Sequence, residues 1–272
     1  MLDNSLFNEA TPLSPYRANV WRVVESQEHA ATLQVIDDLA EQTMLEAMLD
    51  QVKPKYRSGT EDMHYLLKTA FRYPPLKWGS RFGTRLMPSY LYASETPGTA
   101  LCECAYYRFL FLEHMQTPYL APIRSEYCLF KVSVTSNRCL DLTTDIYKSI
   151  QTQLRDPSNY AATQEIGNWV YQRTEDESKP IDVIRFGSAR TSQSIKQNTT
   201  PIPGSPATSK TGINIAVAEP SAINSRQPIV QQRWLCLTKP SSVSFSSRDS
   251  EISYLFPKTD FCDSDDRFLY VV

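Results

Sequence analysis

The chain has 272 residues, 41% of them hydrophobic, which is enough for a sizeable core and too many for a disordered chain. Lys and Arg number 28 against 30 Asp and Glu, so the formal charge of -2 offers no cationic excess to a phosphate backbone and argues against nucleic-acid binding. No apolar run reaches the roughly 18 residues of a membrane span, and the opening MLDNSLFNEATPLSP shows no basic patch followed by an apolar stretch; a cytoplasmic protein without membrane contact is expected.

Residues 20–24 (Val-Trp-Arg-Val-Val) predict a short strand. From Ser26 the pattern turns helical, with Leu33, Ile36, Ala40, Met44, Ala47 and Met48 on one stripe, Ser26 as N-cap and Pro54 as stop. Most of Asp37, Asp38, Glu41 and Glu46 fall away from that stripe, and the four read as a solvated helix surface. A second short helix is predicted over 62–70, ended by Tyr73-Pro74-Pro75.

Residues 90–93 suit a strand, and Ser94-Glu95-Thr96-Pro97-Gly98 turns the chain into a helix over 99–115. Its stripe is Leu101, Ala105, Phe109 and Leu112, with Glu103 off it. Strands are predicted at 126–134, 138–142, 181–187, 213–218 and 232–238, and a helix at 160–173. The class is α+β, without the strict alternation of a doubly wound fold. Residues 192–211, dominated by Ser, Thr, Pro, Asn, Gln and Lys, read as a surface loop or mobile insertion that could serve as a lid.

Eight glycines, no two separated by a single residue, exclude a G-x-G-x-x-G fingerprint, and no P-loop is present. Six cysteines in a chain this long read as reduced core thiols rather than a disulfide scaffold. His29, His64 and His114 are too scattered for a metal site, and Cys102-x-Cys104 with Cys128 lacks structural-zinc spacing. Nothing flanking Cys104 or Cys128 supports a Cys–His nucleophile.

Three segments, 64–85, 90–103 and 185–192, are rich in side chains able to meet a small polar ligand. GSRFG at 79–83, YLYASETPGTALCECAYYR at 90–108 and FGSAR at 186–190, in that order, resemble the RES family of NAD-degrading toxins. The opening VWRVVESQ and the run HYLLKTAFRYPPLKWGSRFG extend the resemblance over most of the chain. Shorter family members have a Gly-Arg-Trp-Asn turn where this chain has Ser80-Arg81-Phe82-Gly83.

The resemblance implies an ADP-ribosyltransferase-like split β-sheet with surrounding helices. It implies one compact unit, with a RES domain over 61–272 and a strand and helix from 1–60 packed on it. It also implies cleavage of the nicotinamide–ribose bond of NAD, by a glycohydrolase or a phosphorylase. The partners implied are NAD, inorganic phosphate as an acceptor, and an Xre-type antitoxin; a homodimer stays open. No metal and no bound organic cofactor is expected, because NAD is the substrate.

Carried over, the family's catalytic positions fall on Arg81, Tyr92, Glu103 and Ser188; Arg72 and Arg190 join them as substrate-binding residues because a guanidinium suits a pyrophosphate. The chemistry suits these types. Bond cleavage builds positive charge on the ribose, which the Glu103 carboxylate opposes. The Arg81 guanidinium matches a pyrophosphate, the Tyr92 ring can stack on nicotinamide, and the Ser188 hydroxyl can hold the carboxamide or an attacking phosphate. The alternatives are a mono-ADP-ribosyltransferase acting on a protein target and a catalytically silent NAD-binding protein.

Overall fold

The computed structural model describes residues 6–26, 38–75, 79–117, 121–175, 180–191 and 212–270. The insertion at 192–211 lies outside them, as does the 27–37 portion of the helix expected from Ser26.

The spine of the fold is β3, Ile123–Asp141, one strand of 19 residues where two are expected. Thr135-Ser136-Asn137 looks like a turn, but β1 (Ser14–Glu25) runs antiparallel beside it and pairs Arg17 with Thr135 and Tyr16 with Ser136, with a register shift just beyond. Cross-strand pairing overrides the local turn preference. The same pairing draws β1 out to 12 residues, well past the expected 20–24.

The other edge of β3 is divided. Residues 123–131 pair with β6 (Val230–Lys239), and 139–141 pair in parallel with β4 (Val183–Gly187). Between them Asn224 donates its backbone N–H to the Ser133 carbonyl, and Val134 bridges to Ile223. From this fork one wing continues β6, β7 (Ser242–Ser247), β8 (Ser253–Pro257), and the other runs β4, β5 (Ile213–Val217), β2 (Leu91–Ser94) and back to β1. The α+β class and the split sheet are both present. β7 and β8 have no counterpart in the expected elements, although Val243 and Phe245 alternate with serines in the period of two that marks a strand.

Helix α1 covers Leu39–Val52 and is capped by Asp38, whose carboxylate accepts from the Ala40 N–H at 2.9 Å. Ser26 donates its N–H to the Glu126 carbonyl and prolongs the β1–β3 ladder; its expected role as a cap turns on residues 27–37, outside those described. The stripe read as core-facing is open, with Met44 and Met48 67% and 59% exposed. The second helix shrinks to α2, Tyr65–Lys68, followed by a 3-10 turn over Thr69–Phe71.

Helix α3, Pro97–Glu113, begins two residues early because Thr96 caps it through Thr99 N–H and Pro97 suits the first turn. Leu101, Ala105 and Phe109 of its stripe are fully buried against the β6–β7–β8 wing. After a 3-10 turn at Asp145–Ile150 come α4 (Gln151–Leu154) and α5 (Ala161–Glu175), the latter burying Ile166 and Val170 against Phe82, Tyr90 and Phe186. No helix among the described residues is long and apolar enough to cross a membrane.

Candidate active site

Where the β1–β2–β5–β4 wing meets α3, the sheet opens on a cavity of about 320 Å³, at the small end of the range for small-molecule sites. Trp21 and Arg22 of β1, Ser80 and Arg81, Tyr92 and Ser94 of β2, Glu103 and Tyr107 of α3, Tyr160, Phe186 of β4 and Asn214 of β5 contribute to its lining. Of the expected catalytic residues, Arg81, Tyr92 and Glu103 reach this one space.

The GSRFG turn presents Arg81 because its backbone has little freedom. Gly79 sits at φ +75, where a side chain is strained and its Cβ would stand 2.4 Å from the Gly83 carbonyl oxygen. Ser80 N–H donates to the Gly83 carbonyl, Gly83 N–H donates to Ser80 Oγ, and the Tyr92 hydroxyl bonds Ser80 Oγ and accepts from Phe82 N–H. Phe82 is fully buried, edge-on to Phe186. Tyr92 thus lines the cavity and fastens the turn; burial pushes its phenol up to about 12.

Glu103 is set by neutral donors. Its Oε1 accepts from Ser188 Oγ and from Asn214 Nδ2, each at 2.6 Å. Among the described residues its Oε2 takes no hydrogen bond, and no Lys, Arg or His forms an ion pair with it. Ser188, 1% exposed, stands behind the carboxylate rather than in the cavity. Its oxygen also accepts from the N–H groups of Arg190 and Thr191. A hydroxyl so engaged is not placed to hold a carboxamide or a phosphate, and what it touches on the cavity side is Glu103.

The arginines divide. Arg81 lies 4.5 Å over the Tyr160 ring and donates to the carbonyls of Leu154 and Asp156. Arg190 lies 3.4 Å over the Tyr106 ring and donates to the Pro157 carbonyl and the Tyr160 hydroxyl. Arg155 closes the clamp by donating to the Ser188 carbonyl. Together they hold the 154–160 segment against the cavity. Arg190 is therefore a buried brace outside the lining, and Arg72 lies away from the cavity altogether. The Arg72 guanidinium covers Tyr56 at 4.2 Å and donates to the Pro54 carbonyl and Asp50.

Arg22, Ser94, Tyr160 and Asn214 are site residues that the sequence reading does not select. Arg22 donates to the Tyr92 carbonyl, its Nε is buried without a partner among the described residues, and burial lowers its guanidinium to about 10. The signals were a lone cation inside Val-Trp-Arg-Val-Val and a lone amide inside Ile-Asn-Ile-Ala-Val, since buried polar groups are kept only where something pairs with them. None of the six cysteines forms a disulfide, and no metal-binding group of His, Cys, Asp or Glu forms among the described residues.

Among solved structures, the M. tuberculosis MbcT–MbcA toxin–antitoxin complex contains a similar chain, at TM-score 0.41 and 11% identity, covering 84% of this chain and 87% of that one. No curated protein matches. The model of the RES domain family matches residues 55–236, which takes in the GSRFG turn, Glu103 and Ser188; the chain belongs to the RES domain family.

Proposed function

We propose that this protein is an NAD-degrading toxin that cleaves the nicotinamide–ribose bond, as a glycohydrolase or a phosphorylase, and depletes cellular NAD. The observation that carries the reading is the Glu103 carboxylate, which lines the cavity with Oε2 unpartnered and no cation in contact among the described residues.

Nicotinamide departs with the bonding electron pair, which neutralises its own ring, so the leaving group needs no proton from an acid. The positive charge moves to C1 and the ring oxygen of the ribose. A carboxylate already paired with a cation has little field left for that charge. One anchored by neutral donors in a cavity keeps it, and its stabilisation grows as the transition state forms. The guanidinium groups of Arg22 and Arg81 suit the anionic half of the dinucleotide, and the rings of Tyr92 and Tyr160 suit its flat end.

Water or a phosphate oxygen then bonds to C1; water gives up a proton in that step, for which Glu103 Oε2 is an acceptor. An Xre-type antitoxin is the partner this reading gives the chain.

Incubating the purified protein with NAD, with and without inorganic phosphate, and identifying the products tests the proposal. Nicotinamide should appear with ADP-ribose or its phosphorylated form. Turnover that requires an added protein acceptor, or nicotinamide release unchanged in E103Q, would overturn it.

A further inference from the structure

Two buried polar side chains stand next to each other in the middle of the sheet. Ser94 of β2 and Asn214 of β5 are directly paired in register, 3% and 6% exposed, on strands that also bury Leu91, Ala93, Ile215, Ala216 and Val217. Leaving either group unpaired there would cost about 1–3 kcal/mol, so their arrangement has to satisfy both. Ser94 Oγ donates to Asn214 Oδ1 at 2.6 Å, and Asn214 Nδ2 donates to Glu103 Oε1 at 2.6 Å. The amide has only one workable orientation. Flipped, it would set its carbonyl oxygen against an ionised carboxylate oxygen at that distance, and its NH2 toward a hydroxyl that would have to turn to accept.

We propose that Asn214, oriented by Ser94, is a positioning residue for Glu103, and that the chain Ser94–Asn214–Glu103 determines which carboxylate oxygen faces the cavity. This rests on the reading of Glu103 given above. Ser94 fixes the polarity of the amide, and the amide fixes that of the carboxylate. With Asn214 and Ser188 both on Oε1, arriving from β5 and from the segment after β4, the carboxylate plane has two anchors and Oε2 is the oxygen left for the reacting sugar. Holding a reacting group in one orientation acts on the turnover step more than on binding.

Steady-state NAD cleavage by N214A, N214D and S94A tests this. N214A should lower kcat about tenfold and S94A about threefold, each with KM within about twofold of the parent. N214D supplies the distinguishing readout. Two carboxylates this close share a proton, so its rate should be lowest at neutral pH and climb toward acid as the pair takes one up and the donated hydrogen bond returns. Equal losses in N214A and N214D with parallel pH profiles would mean a packing role only, and would overturn the proposal.

A readout independent of turnover is the side-chain amide resonance of Asn214 in the full chain labelled with 15N-asparagine. It should move in both E103Q and S94A. If it moves in both while the parent releases no nicotinamide from NAD, the functional reading fails and the positioning chain stands. A resonance unmoved in either variant overturns the chain whatever the activity.

Discussion

On the β6–β7–β8 side of β3, Tyr127, Trp234, Phe245, Tyr254 and Phe256 are buried under α3, with ring centroids 5.7 to 6.3 Å apart. On the β4–β5–β2 side, comparable depth holds Ser94, Asn214, Ser188 and Arg190, with Arg81 nearly as covered. The first wing gains its stability from removing apolar surface from water, a force without direction. The second keeps polar groups that are tolerated only while each hydrogen bond is made, and so fixes directions rather than adding cohesion. One α-helix serves both: α3 buries Leu101, Ala105 and Phe109 in the first wing and turns Glu103 toward the second.

The division predicts that the two wings fail differently. F245A removes a fully buried ring in contact with Tyr127 and Phe256, and should lower unfolding stability by about 3–5 kcal/mol in denaturant titration. The surviving folded fraction should keep its kcat on NAD. A kcat that falls in step with stability would show the wings to be one mechanical unit.

E103Q is the reverse test. The amide retains an oxygen for Ser188 and Asn214, so stability should stay within about 0.5 kcal/mol, while nicotinamide release drops about 100- to 1,000-fold as the charge opposite the ribose disappears. Equal damage to both quantities would place Glu103 among the structural groups.

R22K sharpens the comparison inside the polar wing. Lysine keeps the charge and loses the planar fork that reaches the Tyr92 carbonyl while carrying a further buried N–H. If that N–H meets the anionic part of the substrate, KM for NAD should rise about 10-fold, with a smaller change in kcat. An unaltered KM would confine Arg22 to bracing β2.

What could be read in advance follows the same line. The hydrophobic stripe of α3, the short strand at 91–94 and the helix over 161–175 announce themselves by period, because their burial is local in sequence. The long β3 does not, since its continuity through Thr135-Ser136-Asn137 is supplied by β1 more than a hundred residues earlier. The Met44–Met48 stripe misleads because amphipathic spacing says that a helix has an apolar face, and not whether anything covers it.

At the site, Arg81, Tyr92 and Glu103 came from ordered motifs and do share a cavity. Arg72 and Arg190 are selected for charge alone, and charge does not reveal that Arg72 is stacked on Tyr56 away from the cavity or that Arg190 is stacked on Tyr106 outside its lining. Asn214 stands out in sequence as a lone amide in an apolar strand, but its role depends on the pairing of β5 with β2, which sets it beside Ser94 120 residues away.

The smallest expected effect lies at the outer end of the apolar wing and concerns pH. Asp260, in the 3-10 turn Lys258–Phe261 after β8, has a buried Oδ2 without a partner among the described residues, and burial raises its carboxyl to about 6. The folded chain therefore holds this proton more tightly than the unfolded one, whose carboxyl titrates near 4. Below about pH 4 both states are protonated and the site contributes its full share. As pH rises from about 4 to about 6 the unfolded state releases its proton first, and that stability is lost; above about 6 the loss is complete.

D260N holds the neutral form at every pH. At pH 7 it should be more stable than the parent by about 1–2 kcal/mol, allowing for solvent around a half-buried group, and the two should converge at pH 4. Urea titrations of both proteins at pH 4, 5, 6 and 7 measure this directly. A difference that stays constant across that range would mean that Asp260 meets a compensating donor in solution, and that the apolar wing carries no unpaired charge after all.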